Sequence, residues 1–219
     1  MSKTTLVAVS ALAVLMAAQT ARADEAREIR AAFAWAKPVL GSSCDFASAE
    51  GVDDFGGSRV YDIRYRYKGQ DQDEQDQVFR LIQLFCMSGA YNVSFVFLAA
   101  GMEAGDYKLL SFAEPKADYD YTDESFTKLA APPRVSGFVS RGELVNADFD
   151  PKTGVLSSDA KWRGLGDAWS HGEWRFIEGE FVLARFEIDP IYDLNRDDAQ
   201  QPDPDPQPES YVIYQPQEP

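Results

Sequence analysis

The residue pattern predicts a mainly β fold: antiparallel sheet arranged as a sandwich or an open barrel, with one short N-terminal helix. Three observations carry this expectation. Apolar and polar residues alternate with a period of two from Tyr61 to Lys68 and again from Tyr91 to Phe97. Turn chemistry punctuates the chain at Ser88-Gly89-Ala90, at Asp150-Pro151-Lys152-Thr153-Gly154 and at Glu178-Gly179. Helical spacing of apolar residues is confined to a short segment before Pro38.

Taken in order, Asp24–Ala36 reads as the helix. Its acidic start suits the helix dipole, and Ile29, Ala32, Phe33 and Ala36 mark one apolar face, with Pro38 expected to end it. After a Gly/Ser/Asp-rich loop, Tyr61, Ile63, Tyr65 and Tyr67 alternate with Asp62, Arg64, Arg66 and Lys68, which predicts a strand with one buried face. The polar run 69–77 is a solvated connection. Val78–Cys86 is apolar on both faces except at Arg80 and Gln83, as in a central strand. Another strand follows with Tyr91, Val93, Phe95 and Phe97 on one face, then a short one at Leu109–Ala113. From Arg134 to Asp148, residues Val135, Phe138, Val139, Leu144 and Val145 are expected to be partly buried. Trp174-Arg175-Phe176, the Glu178-Gly179 turn and Phe181–Ile188 form the clearest hairpin. From residue 189 on, the chain carries seven of its twelve prolines, eight acidic residues and one arginine, the composition of an extended acidic tail. Tyr211–Tyr214 interrupts it as an apolar island, expected to dock as an edge strand on the parent sheet rather than to pair with a partner.

The first 23 residues have the form of a secretory signal: Lys3, an apolar run from Leu6 to Ala18 broken only by Ser10, and Ala21-Arg22-Ala23 before a cleavage point at Asp24. The run is too short and too alanine-rich for a stable anchor, and it is followed by no lipid-accepting cysteine. The expected organisation is a signal at 1–23, one β-rich domain at 24–192 and a tail at 193–219, with no membrane insertion after cleavage. Loss of Lys3 and Arg22 would take the net charge from −15 to −17. Such a surface repels phosphate backbones and anionic headgroups, so nucleic acid is excluded as a partner, while a basic protein is favoured. Cys44 and Cys86, an isolated pair in an oxidising compartment, are expected to form a disulfide.

Two stretches, Phe85-Cys86-Met87-Ser88-Gly89-Ala90-Tyr91-Asn92 and Lys161-Trp162-Arg163-Gly164-Leu165-Gly166-Asp167, resemble the most recognisable segments of the DUF1176 family. The closing hairpin from Trp174 to Leu183 is similar to that family's as well, so the resemblance runs from about Tyr61 to Tyr192. It implies a small exported protein of a Gram-negative bacterium, located in the periplasm or secreted, and implies no activity. Many members carry a cysteine after the Gly-Asp and another beyond the hairpin. Here Ala168 fills the first place and no cysteine follows Cys86, a joint loss expected of a disulfide pair.

The candidate binding region is Trp162–Trp174, where Trp162, Arg163, Asp167, Trp169, His171 and Trp174 gather around the turn glycines Gly164 and Gly166. Tryptophan faces stack on sugar rings or cations, and an Arg/Asp pair fixes hydroxyls or a carboxylate. The structural alternative is a tight glycine turn held by Arg163 and Asp167 over tryptophans that fill the core. His171 is the chain's one imidazole, and it lies in no Gly-x-Ser-x-Gly or His-Glu-x-x-His context, so no catalytic residue, metal site or cofactor is expected. Asp193-x-Asn195-x-Asp197 and Asp148-x-Asp150 open like calcium loops, but Asp198, Pro204 and Lys152 stand where such loops need other residues. The composite expectation is an exported envelope protein that binds, or maintains the envelope, without catalysis, its partner a basic protein or an envelope glycan. An inhibitor of a cationic hydrolase such as a lysozyme, and a glycan- or ester-cleaving hydrolase, are the alternatives.

Overall fold

The structure, a computed structural model, describes residues 3–46, 57–103, 105–196 and 207–216, with side chains from Arg22 onward. Asp197, Asp198 and Pro204 of the calcium-like spacing lie outside the described residues. Helix α1 spans Lys3–Leu40, much longer than the Asp24–Ala36 segment expected. The reason is local: from Lys3 to Lys37 the alanine-rich sequence offers neither glycine nor proline to interrupt it. Pro38 falls in the last turn, and the helix ends two residues later, where Gly41 adopts φ +56. The predicted apolar face holds, with Ile29, Ala32, Phe33 and Ala36 all buried. Among the described residues no helix is long and apolar enough to cross a membrane.

Twelve strands follow among the described residues, every pairing antiparallel. Strands β1 (Arg59–Tyr65), β2 (Gln77–Ser88), β3 (Val93–Ala100) and β4 (Tyr107–Leu109) form the first sheet in that order. Strands β5 (Phe112–Asp118) and β6 (Arg134–Arg141) make a separate two-stranded ribbon, and β7 (Glu143–Val145) returns to pair with β3. The second sheet is built from β8 (Asp148–Asp150), β9 (Val155–Lys161), β10 (Trp169–Ile177), β11 (Glu180–Asp189) and β12 (Tyr211–Tyr214), in the order β12-β11-β10-β9-β8. The result is mainly β and sandwich-like, with no closed barrel among the described residues.

An aromatic layer joins the sheets. Tyr61 meets Phe149 at 5.0 Å, Phe79 meets Phe176 at 4.9 Å, and Phe112 sits between Phe97 and Trp174 at 5.5 and 5.6 Å. Rings at these separations, inclined by 58° to 83°, contribute about 0.5–1.5 kcal/mol per pair beyond their burial. Because side chains alternate along a strand, Ile82, Leu84, Cys86, Val96 and Leu98 lie on the other face of the first sheet, where α1 packs. Tyr107 anchors the helix there, its ring against Trp35 and its hydroxyl donating to Glu28. Cys44, just past the helix, is joined to Cys86 of β2.

Three strand expectations are corrected. The first strand ends at Tyr65, and Lys68 lies beyond it in the connection wrapped around Arg66. Leu109–Ala113 is not one strand, because the chain changes partner there: Leu110 N–H still donates to the Phe97 carbonyl, while Phe112 begins the ribbon and inserts into the aromatic layer. Val135 and Phe138 are exposed (38% and 54%), since among the described strands β6 pairs with β5 alone and Tyr214 of the last strand covers Phe138 only in part. The hairpin between β10 and β11 turns at Glu178 and Gly179, both at positive φ (49° and 93°), as a two-residue type I′ turn requires. The Tyr211–Tyr214 segment is the edge strand β12, paired with β11.

Candidate functional site

Only part of the second sheet's inner face is covered by the first sheet. Next to the aromatic layer its inward residues shrink to Ser158, Ala160, Ser170 and Gly172, and the β5–β6 ribbon passes across the hollow they leave. The ribbon is tied down by the Trp174 indole N–H, which donates to the Ala113 carbonyl at 2.8 Å, and by Phe138 against Tyr214 of β12 at 5.5 Å. Gly172 is required here: a Cβ would lie 2.5 Å from Trp174 Cη2.

The resulting cleft has two lobes of about 270 and 480 Å³, which share Glu114, Arg141, Trp162, Ser170 and Phe186. The larger falls in the usual size range of small-molecule sites. Trp162 forms the aromatic wall. Its ring lies nearly parallel to Tyr119 (15°, centroids 6.2 Å apart), and its Nε1–H donates to Ser170 Oγ at 3.4 Å. Arg141 and Glu114 pair at 2.8 Å across the ribbon, and Glu143 and Lys116 complete the charged rim. Such a cleft can stack a flat apolar face and at the same time donate and accept hydrogen bonds around it.

The structure does not gather the six predicted residues into one site. Trp162 lines the cleft. Trp174, 1% exposed, belongs to the core and only borders the floor of the smaller lobe. Arg163 and Asp167 form the loop-holding pair of the structural alternative. The Arg163 guanidinium binds Asp167 through two hydrogen bonds, donates to Asn195 Oδ1 at 2.8 Å and covers the Tyr192 ring at 4.8 Å. Arg163 and the Leu194 amide hold the Asp167 carboxyl below its ordinary pKa. Strand alternation sends Trp169 and His171 to the outer face of the second sheet. There His171 Nδ1 lies 2.7 Å from Asp159, and Nε2 lies 3.4 Å from Glu173. Burial alone would lower the His171 pKa, but the hydrogen bonds and charges of Asp159 and Glu173 outweigh it and raise the pKa above its ordinary value. A shallow groove of about 570 Å³ on this face also takes in Asp148, Asp150 and Arg175. Among the described residues no group of three or more His, Cys, Asp or Glu side chains is placed to hold a metal ion.

Sequence reasoning missed Glu114, Arg141, Tyr119 and Ser170, because they come from three strands and a loop. The available signal was the run of small residues at alternate inner positions, Ser158-x-Ala160 and Ser170-x-Gly172.

The two motif stretches meet in space. Asn92 Nδ2 donates to the Lys161 carbonyl at 2.8 Å, and Lys161 N–H donates back to Asn92 Oδ1 at 3.2 Å. Asn146, at φ +45, closes the clasp: its Nδ2 reaches Asn92 Oδ1 and the Asp159 carbonyl, and its Oδ1 accepts from Val93 N–H. Gly164 sits against Tyr91, where a Cβ would come within 3.2 Å of the ring.

Comparison with known proteins agrees with these stretches. A family model described as "Protein of unknown function (DUF1176)" matches residues 16–200. An uncharacterised protein of Escherichia coli (strain K12), YpfG, is 43% identical over 51 residues, 23% of this chain, and the match covers 15% of that relative's length. No solved structure matches the chain.

Proposed function

This chain belongs to the DUF1176 family of proteins of unknown function, and from that premise we propose that it is an exported envelope protein of a Gram-negative bacterium that binds a ligand in the cleft under the β5–β6 ribbon. The observation that carries this reading is the cleft itself, a two-lobed hollow with Trp162 as its aromatic wall and paired charges at its rim. The signal-like first 23 residues and the Cys44–Cys86 disulfide support export to an oxidising compartment, the periplasm. Binding is favoured over turnover of the Ser-His or Cys-His type, because the chain's one histidine lies on the opposite face of the second sheet from the cleft, with both ring nitrogens facing carboxylates.

The test uses the processed chain released from the periplasm, analysed by native mass spectrometry after incubation with an envelope extract. Wild type should retain a small-molecule adduct, and Ala160→Trp, which fills the smaller lobe and crowds the waist shared by both, should lose it without a change in melting temperature. Equal adducts in both proteins, or none in either, overturn the reading. Cleavage of the bound species would replace binding with hydrolysis.

One observation favours a second reading, inhibition of a cationic hydrolase. The outer face of the second sheet carries Asp148, Asp150, Asp159 and Glu173 together, on a chain of net charge −15. That reading requires slowed lysis of bacterial cells by a lysozyme, relieved by salt.

A further inference from the structure

We infer that the cleft takes a neutral oligosaccharide at least two sugar units long, an inference that rests on the binding reading above. A sugar presents an apolar C–H face bordered by hydroxyls, each both donor and acceptor. The cleft opposes these features with the Trp162 wall, backed by Tyr119, and with groups of both senses around it. Arg141 and Lys116 donate, Glu114 and Glu143 accept, and the Ser170 hydroxyl does either.

Charge narrows the class. Two bases and two acids meet at the rim, so the cleft itself favours neither an anionic nor a cationic ligand, and the acidic molecule repels phosphorylated ones. A bare acyl chain is a poorer fit, because it would strip water from the Glu114–Arg141 pair and return no hydrogen bond.

Length follows from the two lobes. Trp162, Ser170 and the Glu114–Arg141 pair belong to both, so one ligand stacked at the waist extends into the lobe on either side. A single ring occupies only one of them.

The experiment is titration of the processed chain, followed by tryptophan emission and calorimetry, with glucose, maltose and maltotriose, with N-acetylglucosamine and its β-1,4-linked dimer and trimer, and with dodecanoate. At least one of the two sugar series should bind, with the dimer roughly tenfold or more tighter than the monomer, since it gains a second lobe's hydrogen bonds. Trp162→Ala should weaken binding by about tenfold, the worth of a lost aromatic contact, and Trp162→Phe should restore most of it. Near-UV circular dichroism and an unchanged melting temperature establish that each variant is folded, and Ala160→Phe provides a second route to blocking the site. Affinity should be nearly independent of salt. The inference is overturned if neither sugar series binds, if monomer and dimer bind alike, or if Trp162→Ala binds as wild type does. Dodecanoate binding that Ala160→Trp blocks would remove the oligosaccharide and leave the cleft as a binding site. Failure of every probe, together with an envelope-extract adduct unaffected by Ala160→Trp, would remove both.

Discussion

Gly172→Ala should be among the most damaging single-methyl changes in this protein, and its cost should fall when Trp174 is shortened. The added Cβ would stand 2.5 Å from Trp174 Cη2, 2.9 Å from Cζ3 and 3.0 Å from Phe186 Cε2, all atoms of rigid rings. Overpacking of this kind costs about 1–3 kcal/mol, and contact with two rings places it at about 3. Trp174→Phe alone removes the indole hydrogen bond to Ala113 and leaves a void, together about 2–3 kcal/mol. The same change deletes the two tryptophan atoms nearest the new methyl. The double variant should therefore lose about 3–4 kcal/mol rather than the sum of the two, a coupling of about 2 kcal/mol in favour of the pair. Urea unfolding followed by far-UV circular dichroism gives all four free energies. Additivity within about 0.5 kcal/mol would refute the reasoning, because it would mean that the methyl is accommodated elsewhere.

Three further outcomes are expected. Asn146→Gly keeps the backbone conformation and loses only the clasp, so it should cost about 1–3 kcal/mol, while Asn146→Ala should cost about 1 kcal/mol more because φ +45 penalises alanine; equal losses in urea melts would contradict this. Burial, helped by Asp193, Asp167 and Glu209 and resisted by the Ile191 amide, pushes the Asp189 pKa up to about 6. The folded state thus holds the proton more tightly than the unfolded chain, stability falls as pH rises from about 4 to about 6, and Asp189→Asn should flatten that slope; an unchanged slope in the variant excludes Asp189 as its source. His171 titrates above its ordinary value, so its contribution is fully present below the unfolded pKa of about 6.5 and is lost as pH rises through the folded pKa. The stability gap between wild type and His171→Asn should narrow with rising pH, and proton NMR of the ring should show a pKa above the free-imidazole value; a value below it would contradict the roles given to Asp159 and Glu173.

Residues that obey a short-range rule were legible in the sequence. The alternation at Tyr61, Ile63 and Tyr65, the Asp150–Gly154 turn and the Glu178-Gly179 hairpin each depend on a few neighbours, and each stands where periodicity or turn chemistry placed it. The candidate site was legible at Trp162 and, beneath it, at the buried Trp174. Counting tryptophans along thirteen residues ignores which face of a strand each occupies. Trp169 and His171 share the parity opposite to that of Ser170, Gly172 and Trp174, so one run of sequence serves two faces of a sheet. Glu114 and Arg141 were invisible for another reason: they meet only because β5 and β6 pair with each other instead of joining either sheet.

The position of β12 bears on how the molecule is assembled and handled. β11 makes its second set of strand contacts with a segment that reaches it only after the long connection from Pro190 to Ser210. Until β12 docks, the second sheet presents a row of unpaired amides and carbonyls beside Phe186 and Ile188, a template for the same strand in a neighbouring chain. Crowded folding should therefore favour dimers that exchange their C-terminal strands, and truncation before Tyr211 should leave an aggregating species although the buried core residues of both sheets remain.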